Sequence, residues 1–144
     1  MFSLRRRLWP LAVALLLTLA AVLATSETAA AKPPPGDASV ISDWNQIAVN
    51  TMVGDTTKTG HPQVFLYLGF VQAAVYDAVV GIEGRYEPYR FDQRAPRRSS
   101  AQAAAVAAAH KVLVTYFSYA QATLDAAYAS SLAQIPDGKA KTNG

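Results

Sequence analysis

Apolar positions recur at helical spacing in four stretches of this chain, and no stretch alternates with period two. The first stretch places its apolar and small residues on one helical face: Val40, Ile41, Trp44, Ile47, Ala48 and Thr51. Because Asp43, Gln46 and Asn50 lie off that face, the pattern predicts an amphipathic helix. Asp37 or Ser39 can cap its start, and Gly54 and Asp55 end it.

The second stretch is apolar nearly all round. His61 and Pro62 open it, and from Val64 to Val80 the only strongly polar side chains are Gln72 and Asp77. Such a helix is expected at the centre of a bundle, stopped by Gly81 and Gly84. A membrane span is the weaker interpretation, because the two polar groups would be costly in lipid.

The remaining helices follow an irregular connection over residues 81–98. Ser99 or Ser100 can cap an alanine-rich third helix, whose buried stripe is predicted as Ala103, Val106, His110, Leu113 and Phe117. After a break near Ser118, a fourth helix carries Leu124, Tyr128, Ser131, Leu132 and Ile135. Pro136-Asp137-Gly138 is a strong stop, with too few residues after it for another element. The pattern predicts an all-α bundle of about four helices.

Residues 1–31 have the organisation of a signal peptide and its cleavage region. Three arginines at positions 5–7 precede an apolar run from Leu11 to Ala24, and small residues fit cleavage near Ala24 or Ala31. The run is shorter than the roughly 18 residues that span a bilayer. We therefore expect a secreted or periplasmic protein with no stable membrane span after cleavage, exported by the general or the twin-arginine route. Residues 32–36 form a proline-rich spacer before the helical part, residues 37–144.

Charge and cysteine content narrow the function classes. Three of the 13 basic residues lie in the signal peptide, so after cleavage at Ala24 10 basic residues face 10 acidic ones. A neutral chain with only 16% charged residues does not suit a nucleic-acid partner. The absence of cysteine excludes disulfides, a thiolate nucleophile and cysteine-ligated metals.

Few side chains are candidates for chemistry. His110 is a possible ligand or base, but on an apolar stripe it is more simply a hydrogen-bonded core residue; a haem site would pair it with Met52. His61 is most simply a helix-start or turn residue. Asp77 is either a perturbed pocket carboxylate or a buried acceptor for the following loop, with Arg85 as a candidate partner.

Five arginines lie between Arg85 and Arg98, interleaved with Glu83, Glu87 and Asp92. They are either an oxyanion site or a solvated loop that neutralises itself. No phosphate-binding loop, nucleophile elbow, paired-histidine motif or calcium loop occurs. The residues themselves therefore identify no catalytic or metal-binding set.

Several segments together resemble the N-terminal region of bacterial vanadium-dependent haloperoxidases, relatives of the type 2 phosphatidic acid phosphatases. They are Asp43-Trp44-Asn45, residues 72–79 (Gln-Ala-Ala-Val-Tyr-Asp-Ala-Val), residues 81–89 (Gly-Ile-Glu-Gly-Arg-Tyr-Glu-Pro-Tyr), residues 107–113 and residues 135–138. The resemblance implies a large helical bundle. It also implies a vanadate that is bonded to a histidine and held by lysine and arginine, and that oxidises halide with peroxide.

The active-site motifs of that family are Lys…Arg-Pro, Pro-Ser-Gly-His and Ser-Arg…His, and none of them occurs here. We therefore assign no catalytic, cofactor-binding or metal-binding residue, and we expect the chain alone to be inactive and to bind no vanadate. The resemblance implies the N-terminal, incomplete part of a larger bundle, whose partner is the C-terminal helical part of the enzyme. Such a fragment should expose hydrophobic surface. A fragment of a related phosphatase and an exported, non-catalytic binding module are the alternatives.

Overall fold

The structure, a computed structural model, describes residues 37–55 and 61–144. The predicted signal peptide, its cleavage sites and the proline-rich spacer lie outside the described residues. The described part contains five α-helices and no strand, which confirms the all-α prediction. The helices are α1 (Ser39–Gly54), α2 (His61–Glu83), α3 (Ala101–Tyr116), α4 (Gln121–Ala133) and α5 (Lys139–Asn143), with a 3-10 turn at Ser118–Ala120 between α3 and α4.

The central helix of the bundle is α3, which packs against α1, α2 and α4. Its alanines at positions 103, 104, 105 and 109 are buried together with Val106 and Leu113. Small side chains on several faces let three neighbouring helices approach it closely. The prediction that α2 occupies the centre is therefore wrong: its apolar residues surround the helix, but only one face of it is covered.

The core is built from bulky side chains that α1, α3 and α4 direct towards one another. Met52, Leu113, Phe117 and Leu124 are at most 1% exposed, and Trp44 is buried beside them. Four of the five predicted stripe residues on α3 are buried, whereas His110 is only partly so. The predicted break near Ser118 is confirmed, because the chain turns there through the 3-10 helix.

The ends of α2 and α3 follow local rules with one exception. The Ser100 hydroxyl accepts a hydrogen bond from the Ala103 N–H at 3.2 Å and caps α3. Gly84 ends α2 in the left-handed conformation (φ 65°), and its N–H donates to the Val80 carbonyl at 2.8 Å. Gly81, predicted as a stop, lies inside the helix; a Cβ there would sit 2.7 Å from the Gln93 carbonyl oxygen. Gly81 therefore serves the close approach of the following loop.

The segments before α1 and after α4 also differ from the sequence predictions. Ser39 does not cap α1; instead Asp37 Oδ1 accepts the Ser39 N–H at 2.9 Å, and this bond lowers the pKa of Asp37. The last residues do form an element, since α5 follows Gly138 and its Ala140 carbonyl accepts the Ser100 N–H at 2.8 Å. That contact ties α5 to the start of α3.

Candidate docking groove

An apolar groove runs along the uncovered face of α2 and is here called the α2 groove. It encloses about 770 Å³. Its floor is formed by α2 residues that span about three turns: Phe65, Leu66, Gly69, Phe70, Ala73 and Tyr76. Phe65 is 74% exposed and Leu66 55%. An exposed apolar surface of this kind is typical of an interaction site.

One end of the α2 groove is lined by the strap, residues 86–91, which contributes Glu87, Pro88 and Tyr89. Tyr89 is 77% exposed. Its ring and that of Tyr76 give this end of the groove an aromatic character, and Glu87 is the only charged lining residue. The expectation that the chain exposes hydrophobic surface is confirmed for α2.

Asp77 holds the strap in place. Its carboxylate, 7% exposed, accepts three backbone N–H groups: Tyr89 at 2.5 Å, and Arg90 and Phe91 at 2.9 Å each. Three donors on one carboxylate satisfy a buried charge without a counter-ion. The prediction that Asp77 accepts hydrogen bonds from the following loop is confirmed, and its role is to position the wall of the groove.

A second bond fixes the strap from the groove side. The Tyr76 hydroxyl donates to the Glu87 carbonyl at 2.9 Å. Tyr76 and Asp77 are adjacent in α2, so their side chains leave the helix about 100° apart and contact the strap at two different places. The strap is thus attached to α2 through backbone groups of residues 87, 89, 90 and 91.

Arg85 is not the partner of Asp77. It donates to Glu83 Oε2 from Nε at 3.0 Å and from Nη2 at 2.5 Å, and this interaction raises the pKa of Arg85. Glu83 and Arg85 lie on either side of Gly84, so this ion pair is local and does not involve Asp77. The side-chain pairing predicted from sequence is wrong because backbone donors already satisfy Asp77.

The arginines between residues 85 and 98 do not form one site. Arg94 lies against Gly84, where a Cβ would meet its Nη1 at 2.5 Å. It is the one arginine lining a second, more polar cavity of about 410 Å³, beside Gln93 and Asn143. One ion pair lies within this cluster, between Arg85 and Glu83.

His110 lies in an interhelical polar contact between α3 and α4. Its Nε2 is 2.7 Å from Asp125 Oδ1. Its ring stacks on Tyr128 at 4.5 Å between centroids and meets Trp44 edge-on at 6.2 Å. The Trp44 indole N–H donates to Ser131 Oγ at 3.1 Å. These bonds join α1, α3 and α4, as expected of a hydrogen-bonded core histidine.

The surroundings of His110 do not suit vanadate. An oxyanion there would face the Asp125 carboxylate and two aromatic rings, whereas it requires a cationic cradle. Met52, the other residue of the haem hypothesis, is fully buried in the core. The role predicted for the His61 side chain lies outside the described residues. Within residues 37–55 and 61–144, no three potential ligands from His, Asp and Glu come together.

Sequence reasoning did not find the α2 groove. The signal was present, because Pro62–Glu83 is long and apolar enough to cross a membrane, a property that core helices of soluble proteins share. Only 22% of its most apolar stretch is buried in the bundle. Two of its polar residues are satisfied internally: Gln72 donates to Asn45 Oδ1 at 2.8 Å, and Asp77 holds the strap.

Comparison with known proteins gives no relative: no protein-family model, no curated protein and no solved structure matches this chain.

Proposed function

We propose that this chain is the N-terminal helical part of an exported, vanadium-dependent haloperoxidase-like protein, and that it acts as a scaffold without catalytic residues of its own. The observation that carries the proposal is the joining of two segments on which the resemblance rests. Asp77, in residues 72–79, accepts the Tyr89 N–H, and Tyr76 donates to the Glu87 carbonyl, both in residues 81–89. Segments that resemble one family therefore form one structural unit.

The α2 groove supports the same proposal. A helix that is apolar on every side but covered on one side leaves Phe65, Leu66 and Phe70 exposed. In a larger bundle, a helix from the C-terminal part would cover this face and gain about 25 cal/mol for each Å² of apolar surface removed from water. The cationic cradle for the oxyanion would then come from that C-terminal part.

The direct test is the coding sequence downstream of the Gly144 codon, together with the intact mass of the exported protein. The proposal expects the Pro-Ser-Gly-His and Ser-Arg…His motifs downstream, in the same or a shifted frame. It also expects no bromination by the 144-residue chain supplied with vanadate and peroxide. Bromination by this chain alone would contradict the scaffold role, and a downstream sequence without these motifs would contradict the family.

A second candidate function is an exported, non-catalytic helical binding module. The observation that favours it is the completeness of the core. Among the described residues, every buried side-chain nitrogen or oxygen has a hydrogen-bond partner, and Trp44, Phe117 and Leu124 close the interior. An exported species whose mass equals the processed 144-residue chain, and which unfolds in one cooperative transition, would favour the module. A much heavier species would rule it out.

A further inference from the structure

Gly69 has no structural explanation among the described residues of one copy. It lies in the middle of α2, where glycine weakens a helix relative to alanine. Within residues 37–55 and 61–144, a Cβ built on Gly69 meets nothing within 4 Å, unlike Gly81, whose Cβ would contact the Gln93 carbonyl. A glycine on an exposed helix face, at the centre of an apolar groove, is suited to the close approach of another backbone.

The groove pattern is complementary to itself. In an antiparallel pair of α2 helices crossing at Gly69, the residue four positions before Gly69 faces the residue four positions after it. The large ring of Phe65 therefore lies over the small side chain of Ala73 in the other copy, and the same contact recurs across the two-fold axis. The absence of a Cβ at Gly69 permits the short interaxial distance of about 8 Å that such packing requires.

Charge favours the same arrangement. Glu87, the one charged residue of the groove, lies at the Tyr76 end. An antiparallel pair places the two Glu87 carboxylates at opposite ends, about 20 Å apart along the helices, beyond the Debye length of about 8 Å. Each carboxylate lies near the start of α2 in the other copy, where the helix dipole is positive.

The exposed area is of the size that a dimer buries. Five groove side chains are 40–77% exposed: Phe65, Leu66, Phe70, Tyr76 and Tyr89. With about 200 Å² for each side chain, they offer about 600 Å² per copy. A standard interface buries about 800 Å² per partner, and Pro88 and the groove backbone can supply much of the difference.

From these observations we propose that the 144-residue chain forms a two-fold dimer in which the α2 helices of two copies cross antiparallel at Gly69. The occupant of the α2 groove is then the α2 helix of a second copy. The dimer is proposed for the 144-residue chain by itself. In a longer protein, a helix from the C-terminal part would cover the same face and exclude the dimer. Downstream sequence tests the family, and association of the 144-residue chain in solution tests the dimer, so the two can fail separately.

Single cysteines provide the sharpest test, because the chain has none of its own. In the exported, processed chain, Phe65→Cys and Ala73→Cys are made separately, because position 65 of one copy faces position 73 of the other. Mild oxidation should link a mixture of the two variants, at a protein concentration well above the dissociation constant of Phe65→Ser. Each variant alone is the matched control, since its two equivalent Cα atoms would be about 12 Å apart along the helix, farther than the roughly 7 Å that a disulfide spans. Equal linking in the mixture and in the separate variants, or none in the mixture, would overturn the antiparallel crossing.

Sedimentation velocity tests association without a covalent link. The unmodified chain should be dimeric at micromolar concentration, and Gly69→Leu or Phe65→Ser should raise the dissociation constant at least about tenfold. Val53→Ser, which removes a 66% exposed apolar side chain from α1, should leave it unchanged. Circular dichroism should show all three variants folded. A monomer at every concentration, a dimer insensitive to both groove variants, or a monomer that instead co-sediments with phosphatidylcholine vesicles would overturn the proposal.

Discussion

Replacing Asp77 by alanine tests the attachment of the strap. The change removes an acceptor for three N–H groups at 2.5, 2.9 and 2.9 Å. Hydrogen bonds to a charged group contribute about 1.5–3 kcal/mol each. Because Tyr89 and Phe91 are exposed, water can reach part of the released backbone. We therefore expect a loss equal to one or two such bonds, about 2–4 kcal/mol.

For a domain of this size, that loss lowers the Tm by about 10–20 °C. The assay is urea and thermal unfolding of the exported chain, followed by circular dichroism at one fixed protein concentration so that self-association does not move the midpoint. Asp77→Asn keeps one acceptor oxygen but presents an amide N–H₂ to the strap donors. Its free energy of unfolding should therefore lie between those of the unmodified chain and Asp77→Ala.

Arg85→Ala is the matched control, because Arg85 is the partner that the sequence suggested. Its exposed pair with Glu83 should leave the unfolding midpoint unchanged within error. If Asp77→Ala loses less than about 0.5 kcal/mol, or if Arg85→Ala loses as much as Asp77→Ala, the argument that backbone donors satisfy this carboxylate is refuted.

Three further changes probe the bundle. Leu124→Ala should lower the free energy of unfolding by about 3 kcal/mol in urea, since Leu124 is fully buried, and a loss below about 1 kcal/mol would contradict its place in the core. Ser100→Ala should lose about 1 kcal/mol with the cap on Ala103, while Ser100→Gly should lose only a few tenths. Burial, and then the Asp55 charge, raise the pKa of Tyr119 above its usual value. The native state therefore keeps this proton more tightly; the resulting stability is complete below about pH 10 and is lost as pH rises through the raised pKa. Urea midpoints of Tyr119→Phe should fall less steeply than those of the unmodified chain above that pH, and parallel curves would contradict the shift.

Local signals predicted the helices well, because caps and breaks depend on few neighbours. Ser100 caps α3 as its position suggested, and the chain breaks at Ser118. Gly81 shows the limit of such rules. Glycine is a typical helix end, but here it allows the backbone of Gln93 to approach closely, and the helix continues to Glu83. Tertiary contact decided the outcome at that position.

The site was harder to predict, for two physical reasons. The donors to Asp77 are backbone N–H groups, which every residue except proline carries, so no side-chain pattern marks them. Hydrophobic periodicity likewise does not distinguish Phe65 from Val71, although Phe65 is 74% exposed and Val71 1%. Which face of an evenly apolar helix is covered depends on how many other helices pack against it. That number is a property of the whole bundle.

Because Asp77 binds the strap through main-chain groups, the identity of the side chains at positions 89–91 is largely decoupled from the shape of the loop. Any residue that retains its N–H can occupy these positions without loosening the anchor, and proline alone is excluded by its chemistry. The side chains of the strap can therefore vary, and with them its binding preference, while its backbone conformation stays the same. That freedom makes this loop a natural place for diversification, or for grafting a new recognition sequence by design.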